Sequence, residues 1–467
     1  MRKKSNQIIF EKKFAFDIWD KKTISQAFRF AEEYKKFLTQ NKTERKVVEW
    51  VEKEALKRNY KKIDTFKKSN FKIGGNRKFY SINRNKSIIL GNLGKKDILN
   101  GLKLILAHID SPRLDLKLQP LYEKEHLAFL KTHYYGGIKK YHWPAIPLAI
   151  YGVIVRQNGE IINIEIGDKE NEPVLMITDL LPHLSGKQFE KALYNAIEAE
   201  ELNLLIGSIG VKKGKEKIKN NILQILNRKY KITEEDLISA DLEVVPAGPC
   251  RDLGIDSSFI AGYGQDDRIC AFCAINALFG ATGSDQTRVV ALVDREETGS
   301  EGATGATSNF IIDFIGELLY FQRRKYNENY LRDALSLSKA ISGDVTCGFD
   351  PDYQSVFDPE NTARLGAGVV IEKYTGRGGK FYTSEATAEY VSYIRNIFNK
   401  AKVNWQTGGL GKVDIGGGGT IAMFLARHNM DIIDCGPALL SMHAPFEISH
   451  KADLYSTFKA YLAFFNY

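Results

Sequence analysis

Strand-like and helix-like segments alternate along the chain after residue 255, and this alternation constrains the fold more than any other feature. The runs TRVVALVD and LSKAISGDV are typical of strands, whereas ICAFCAINALFG and SNFIIDFIGELLYF are typical of helices. Regular alternation of this kind indicates a mainly parallel sheet with helices on its faces. Two earlier runs, KSIILGNL and LKLILAHID, are apolar enough for strands buried on both faces. We therefore predict an α/β fold in which a mainly parallel sheet is sandwiched by helices.

The segment between these two groups of strands has a different composition. It holds shorter strand-like runs, EIINIEIGD and PVLMITDLL, a turn-rich loop, YYGGIKKYHW, and a lysine-rich stretch, KKGKEKIKNN. A chain of 467 residues is also too long for one simple core, so two domains are expected. We predict one domain made of residues 1–114 and 250–467, interrupted by an inserted β-rich domain of residues 115–249.

Composition and charge argue against several classes of protein. Hydrophobic residues make up 43% and charged residues 26% of the chain, which is ordinary for a soluble globular protein. The apolar runs are too short for a signal peptide or a membrane span, so we expect a cytoplasmic protein without a membrane partner. The net charge of +9 comes from scattered lysines without an RNA-binding motif, and we expect no nucleic-acid partner.

Ionisable residues follow the predicted strands at the points where those strands end. The candidate residues of this kind are His108, Asp110, Glu296, Glu297, Asp344 and His443, and Asp266 immediately precedes a predicted helix. Functional residues of open α/β sheets gather beyond the carboxyl ends of the strands, so these side chains are expected to converge. Histidine and carboxylate ligands together suit zinc, cobalt or manganese. A pair of divalent cations would also offset the repulsion between the adjacent glutamates.

At these residues the chain closely resembles the M18 family of metallo-aminopeptidases. The matching blocks, in chain order, are AHIDSPRLDLK, YGGI, LLPHL, GQDDR, VDREETGSEGA, SGDV and SMHAPFE. The resemblance implies a zinc-peptidase-like catalytic domain and hydrolysis of the N-terminal residue of peptides that carry a free amino terminus. It also implies two divalent metal ions, with Zn²⁺ favoured over Co²⁺ or Mn²⁺.

The resemblance further assigns ligands to the two ions. His108 would bind one ion and His443 the other, and the Asp266 carboxylate would bridge them. Glu297 would join one ion and Asp344 the other, and the resemblance leaves open which residue serves which ion.

Three more residues take roles from the same resemblance. Glu296 would act as the general base toward the attacking water, and Asp110 would orient the His108 ring. The inserted domain would mediate dimerisation and bring His183 of LLPHL into the partner's active site. A homo-oligomer is expected, with dimers assembled into a dodecamer.

Two other functions and the residue preference stay open from the sequence. The first alternative is a carboxypeptidase or deacylase on a related two-metal scaffold, and the second is a non-catalytic metal- or nucleic-acid-binding scaffold. Glu372 stands beside Lys373 where acid-selective relatives have a basic residue, and Arg377 and Lys380 follow closely. A preference for acidic, basic or neutral N-terminal residues is therefore not assigned.

Overall fold

The computed structural model describes residues 8–63, 77–283, 285–323 and 325–467. The helices are α1 Ala15–Ile18, α2 Lys21–Gln40, α3 Glu44–Lys57, α4 Gly186–Phe189, α5 Leu193–Ala196, α6 Lys217–Tyr230, α7 Gln265–Gly280, α8 Phe310–Arg323, α9 Glu328–Ser336, α10 Ala388–Lys400, α11 Ala422–Ala426 and α12 Lys451–Asn466. The strands are β1 Lys61–Lys62, β2 Lys78–Asn83, β3 Ser87–Asn92, β4 Lys103–His108, β5 Arg113–Lys124, β6 Leu127–Tyr135, β7 Leu148–Val155, β8 Ile161–Ile166, β9 Met176–Ile177, β10 Leu204–Gly207, β11 Ala240–Pro246, β12 Arg251–Leu253, β13 Phe259–Gly262, β14 Arg288–Val293, β15 Lys339–Ser342, β16 Thr346–Cys347, β17 Val369–Glu372, β18 Trp405–Thr407, β19 Asp431–Gly436, β20 Ala438–Leu440 and β21 Glu447–His450.

The largest sheet has nine strands in the order β1-β2-β3-β14-β4-β15-β19-β17-β18. Its middle strands β14, β4, β15 and β19 are all parallel to one another. Antiparallel pairs occur where β3 meets β2 and β14, and where β17 meets β19. The predicted α/β fold with a mainly parallel sheet is confirmed.

Each middle strand sends alternate side chains to two separate cores. In β4, Ile105 and Ala107 join the core that contains residues of α2, α3, α7, α10 and α12. Leu104 and Leu106 join the opposite core, which contains residues of α8, α9 and α11. Because successive strand residues point to opposite faces, a strand buried on both sides must be apolar throughout. This explains the continuous apolar runs, and it places helices on both faces of the sheet.

Helix α3 illustrates how local sequence sets an element boundary. Thr43 lies in an extended conformation, and its side chain accepts a hydrogen bond from the backbone N–H of Lys46 at 3.4 Å. Such a cap satisfies one of the donors left free at a helix start. Helix α3 therefore begins directly after the Thr43 cap.

A second sheet is formed within residues 113–246 and is antiparallel throughout. Its seven strands run in the order β8-β7-β11-β5-β6-β10-β9 and pack against α6 around a separate core. The predicted strand PVLMITDLL is reduced to the two residues of β9, at the edge of the sheet. The boundaries 115–249 of an inserted domain stay a prediction, although the strands of the second sheet fall close to them.

A third, five-stranded sheet has the order β12-β13-β21-β20-β16, and its strands fall within residues 251–450. Helix α11 is short and covers only five residues. Among the described helices, none combines the length and the hydropathy that a bilayer crossing requires.

Candidate active site

Three adjacent parallel strands deliver most of the predicted site residues. Strand β4 ends at His108, β14 is followed by Glu296 and Glu297, and β15 is followed by Asp344. Since β4 lies between β14 and β15, the carboxyl ends of the three strands meet at one edge of the sheet. Asp266 reaches the same place from the first turn of α7.

His443 arrives from a different direction than predicted. It follows β20, which belongs to the five-stranded sheet, so the expectation that all strand ends come from one sheet was wrong. Its backbone has a φ of 64°, in the left-handed region that a non-glycine residue seldom adopts. The turn between β20 and β21 therefore gives His443 its direction toward the sheet edge.

Asp266 stands between the two histidines. Its Oδ1 lies 3.2 Å from His108 Nε2, and its Oδ2 lies 3.2 Å from His443 Nε2. Two groups of potential ligand atoms, each within 4.8 Å of one another, share this residue. The first consists of His108, Asp266 and Asp344, and the second of Asp266, Glu297 and His443.

The two adjacent glutamates differ in their surroundings. Glu297 Oε1 is buried, accepts no hydrogen bond from the described residues, and lies 3.5 Å from His443 Nε2. The Glu296 side chain is 19% exposed, and its Oε2 lies 3.8 Å from His108 Nε2. Glu296 and Glu297 also form a third possible ligand group with His108. Glu297 is thus the more enclosed of the two, and Glu296 is partly exposed.

Asp110 organises the strand ends through both of its carboxylate oxygens. Oδ1 accepts the backbone N–H of Glu296 at 3.1 Å and lies 3.4 Å from His108 Nδ1. Oδ2 accepts the backbone N–H of Glu297 at 3.2 Å and the hydroxyl of Tyr135 at 2.8 Å. One buried carboxylate therefore fixes the glutamate turn and lies against the histidine ring.

The crowding of acids and imidazoles shifts their pKa values strongly. Burial opposes protonation of His108, but the nearby carboxylates outweigh it and raise the pKa of the imidazole well above its usual range. Burial raises the pKa of Glu296 to about 7, helped by the charges of Asp110 and Asp266. Burial likewise raises the pKa values of Glu297 and Asp344 well above the usual range of a carboxyl. A bound cation would offset the cost of burying these carboxylates as anions.

Glu447 is a site residue that the sequence did not single out. Its Oε1 accepts the backbone N–H of His443 at 2.8 Å. Its Oε2 accepts the backbone N–H of Gln265 at 2.5 Å and that of Asp266 at 3.2 Å. The only signal in the sequence was its place four residues after His443, within the block SMHAPFE.

His183 lies apart from the other predicted site residues. It sits in a short 3₁₀ turn, Pro182–Leu184, of the segment that carries the second sheet, and it is exposed. It belongs to none of the potential ligand groups found among the described residues of a single chain. Its predicted role requires a second chain.

The region next to Glu372 has a defined side-chain arrangement. Glu372 is 7% exposed, and its Oε1 accepts the Thr346 hydroxyl at 2.5 Å. Lys373 and Lys380 instead pair with Glu385, at 3.3 Å and 3.1 Å. The carboxylate of Glu372 therefore points into the protein and the two lysines point outward.

Comparison with known proteins decides the family. The family model described as "Aminopeptidase I zinc metalloprotease (M18)" matches residues 37–465. The chain belongs to the M18 family. Its enzymatic class is therefore aminopeptidase, and the resemblance inferred from the sequence is confirmed.

Individual relatives agree with this family over nearly the whole chain. A Clostridium acetobutylicum protein named "Probable M18 family aminopeptidase 1" is 48% identical over 463 residues, covering 99% of each chain. The crystal structure of an M18 family aminopeptidase from Thermotoga maritima is 43% identical. It matches with a TM-score of 0.93 and covers 98% of this M18 chain and 100% of its own. The structure titled as the S. cerevisiae mApe1 dodecamer is 20% identical. It has the same fold, with a TM-score of 0.75 and coverage of 93% of this chain and 96% of its own.

The reported relatives bear on the alternatives that the sequence left open. The named activity of the relatives at 43–48% identity is that of an aminopeptidase, so they lend no support to a carboxypeptidase, a deacylase or a non-catalytic scaffold. The expectation that the protein has no nucleic-acid partner stays a prediction.

Proposed function

We propose that this M18 aminopeptidase removes the N-terminal residue of peptides with two divalent ions held on either side of Asp266. The single observation that carries the proposal is the placement of its two oxygens, each 3.2 Å from a different imidazole. A carboxylate that faces two histidines in this way suits a bridging ligand. Each histidine also has a further carboxylate beside it, Asp344 in one group and Glu297 in the other.

The donor set fits two ions of the zinc type. His108, Asp266 and Asp344 would hold one ion, and Asp266, Glu297 and His443 the other, with nitrogen and oxygen donors suited to Zn²⁺ and also to Co²⁺ or Mn²⁺. The buried Glu297 Oε1, which accepts no hydrogen bond from the described residues, supports this fit because a ligand atom must be free to bind. When bound, two such ions lower the pKa of a water and polarise the scissile carbonyl.

Glu296 is proposed as the general base. It takes a proton from the water that attacks the carbonyl carbon and passes that proton to the amine that leaves when the peptide bond breaks. Burial raises the pKa of the Glu296 carboxyl to about 7, and a cation bound beside it would lower that pKa again. Its distance of 3.8 Å from His108 Nε2 places it beside the ligands. Asp110 is proposed as the residue that holds the base in place, because it accepts the backbone N–H of Glu296 at 3.1 Å.

Assembly into a homo-oligomer is proposed from the surface around His183. Leu181, Leu184 and Phe189 are exposed by 50%, 67% and 73%, which is unusual for large apolar side chains clustered along one segment. A second copy of the chain would cover them and bring His183 to the partner's site, where an imidazole can donate to the substrate carbonyl oxygen. The dodecamer named in the S. cerevisiae structure motivates the same assembly here. The cytoplasmic location stays a prediction.

An assay with a panel of aminoacyl-anilides tests the proposed function. The chain is stripped with a chelator and then reconstituted with Zn²⁺, Co²⁺ or Mn²⁺. We expect activity on substrates with a free α-amino group, none on their N-acetylated counterparts, and loss of activity in the stripped protein. Inactivity of the reconstituted protein across the whole panel would refute the proposal, and hydrolysis of the N-acetylated substrates would favour a deacylase.

A further inference from the structure

Three consecutive residues at the end of β6 contact the site from the second sheet. The hydroxyl of Tyr135 donates to Asp110 Oδ2 at 2.8 Å, and Gly136 packs against Glu297. The carbonyl oxygen of Gly137 lies 2.8 Å from His443 Nδ1. Residues 135–137, named here the YGG segment, thus contact two of the proposed ligands and the carboxylate that orders the glutamate turn.

The contact at Gly137 determines which nitrogen of the neutral His443 ring faces the proposed ligands. A carbonyl oxygen can only accept, so His443 Nδ1 carries a proton, and in the neutral ring Nε2 is the unprotonated nitrogen that faces Asp266 and Glu297. Metal-binding histidines generally need such a partner on their second nitrogen, which fixes both tautomer and ring orientation. For His443 this partner comes from another sheet, more than 300 residues away in the chain.

The two histidines differ in how much they need such support. The His108 side chain is 1% exposed and is held by its own strand and by Asp110, whereas the His443 side chain is 33% exposed. Among the described residues, the hydrogen-bond partner of His443 Nδ1 is the Gly137 carbonyl, and the His443 backbone is held by Glu447. A contact at the ring nitrogen therefore matters more for His443 than for His108.

Both glycines approach the ligands too closely for a larger residue. A methyl group added at Gly136 would lie 3.2 Å from Glu297 Cβ, and the φ of Gly136, 71°, also favours glycine. A methyl group added at Gly137 would lie 3.3 Å from His443 Nδ1, in a backbone conformation outside the left-handed region. Gly137 can therefore be substituted without backbone strain, and the His443 ring would have to move.

The YGG segment is also firmly attached to the body of the protein. The guanidinium carbon of Arg113 lies 3.9 Å from the centre of the Tyr135 ring. Arg113 itself is buried between two acids, 3.3 Å from Glu243 in the second sheet and 3.7 Å from Glu44 at the start of α3. This buried ion pairing spans both parts of the molecule, so the position of the YGG segment relative to the sheet edge is well defined.

We propose that Gly137, the last residue of the YGG segment, is a positioning residue for one ion, so that a backbone carbonyl next to the second sheet sets the affinity of the His443 half of the metal centre. This inference rests on the proposed two-ion function. The His108 half does not depend on the Gly137 carbonyl, because Asp110 lies against the His108 ring. The two ions should therefore respond differently to a substitution at Gly137.

Metal titration of Gly137→Ala and Gly137→Val tests the proposal. The full-length protein is stripped and titrated with Zn²⁺ against a chromophoric chelator, and the Co²⁺ form is followed by its visible absorption. The control is Gly280→Ala, where the nearest atom to an added methyl group is a Leu462 side-chain carbon at 3.8 Å. We expect one of the two ions to lose about 10-fold in affinity with alanine and about 100-fold with valine, the range found when a partner of a metal-bound histidine is disturbed. The other ion should bind as in the wild type.

The outcomes separate this inference from the proposed function. Wild-type protein that binds fewer than two ions would refute the two-ion function and the inference together. Wild-type binding of two ions, with both affinities unchanged in Gly137→Ala and Gly137→Val, would overturn the inference alone. Equal weakening of both ions would overturn it as well, because a general loss of structure acts on both halves. Circular dichroism and the melting temperature of the stripped Gly137→Ala protein verify that the variant is folded.

Discussion

Glu447 Oε1 accepts the backbone N–H of His443 at 2.8 Å, and the other oxygen of the same carboxylate accepts the backbone N–H of Asp266 at 3.2 Å. One fully buried side chain thus fixes the spacing between a proposed bridging ligand and a proposed terminal ligand. The block SMHAPFE therefore contains a ligand and also the residue that holds that ligand.

Replacement of Glu447 by glutamine should weaken metal binding. Glutamine has nearly the same volume, but it places an NH₂ group where a carboxylate oxygen now accepts a backbone N–H. We expect the affinity for the His443-bound ion to fall by about 10- to 100-fold, measured as zinc retained after dialysis against graded chelator. The exposed Glu33→Gln variant on α2 is the control. Unchanged zinc retention in Glu447→Gln would show that the carboxylate is dispensable.

Glu296→Gln and Glu297→Gln should differ in their effect on metal binding. Glu296→Gln removes the proposed base but no proposed ligand, so two ions should remain while kcat falls by about 10²- to 10⁴-fold. Glu297→Gln should instead lose an ion, because a neutral amide replaces an anionic ligand. Metal analysis and steady-state kinetics on the two purified variants measure both effects. Full activity of Glu296→Gln would exclude it as the base.

Mixed oligomers test whether His183 acts in the partner's site. His183→Ala and Glu296→Gln should each be nearly inactive alone. Co-expression should restore roughly a quarter of wild-type activity, because half of the dimers are mixed and each mixed two-fold dimer holds one complete site. Anilide hydrolysis by the purified mixture gives the recovery. No recovery in a mixture shown by mass spectrometry to contain mixed dimers would place His183 outside the partner's site.

Leu184→Asp should dissociate the oligomer without altering any proposed catalytic residue or metal ligand. The side chain is 67% exposed within the apolar segment around His183, so a charge there would be buried at the proposed interface. We expect sedimentation velocity to show smaller particles, with the secondary structure retained. The control is Lys187→Glu, which lies on α4 of the same segment and replaces one charged side chain by another. An unaltered particle size for Leu184→Asp would locate the interface elsewhere.

Stability should fall on acidification because of a histidine that is not among the proposed metal ligands. His450 caps α12 by accepting the Ala452 N–H at 3.1 Å, and burial against Phe16 and Phe259 lowers its pKa to about 4. The folded protein thus favours the neutral ring. The resulting contribution to the free energy of unfolding is complete above pH 6.5 and is lost as the pH falls toward 4. The shift corresponds to about 3 kcal/mol of unfolding free energy.

Urea unfolding of the metal-free protein at several pH values measures this effect. His450→Asn keeps a capping acceptor without a titrating ring, so its stability should depend less on pH between 6.5 and 4. An equally steep loss of stability in His450→Asn would assign the acid sensitivity to other groups.

The sequence predicted the parts of the site that depend on strand order and missed the parts that depend on long-range backbone contacts. His108, Glu296 and Asp344 could be grouped because parallel neighbours end at one edge, a rule that needs only the alternation of strands and helices. The direction of His443 could not be predicted, because it depends on a third sheet whose strands are only two to four residues long.

The hydrogen bond from His443 to Gly137 could not be predicted for a different reason. Its active group is a backbone carbonyl, which every residue possesses, so no residue type in the sequence marks it. Short elements were also overestimated. Within PVLMITDLL only Met176 and Ile177 form a strand, paired with β10, and Leu175 adds an isolated bridge to Leu148 of β7.

The position of β4 has a consequence for how the chain is made. Its two neighbours, β14 and β15, are translated only after the whole second sheet, so β4 leaves the ribosome more than 170 residues before either of them. Domains that are complete fold first during synthesis. The antiparallel sheet can thus form early, while β4, apolar from Leu104 to Ala107, waits for its two neighbouring strands. This interval is when a nascent chain is most exposed to aggregation, and it is when a chaperone would have the most to protect.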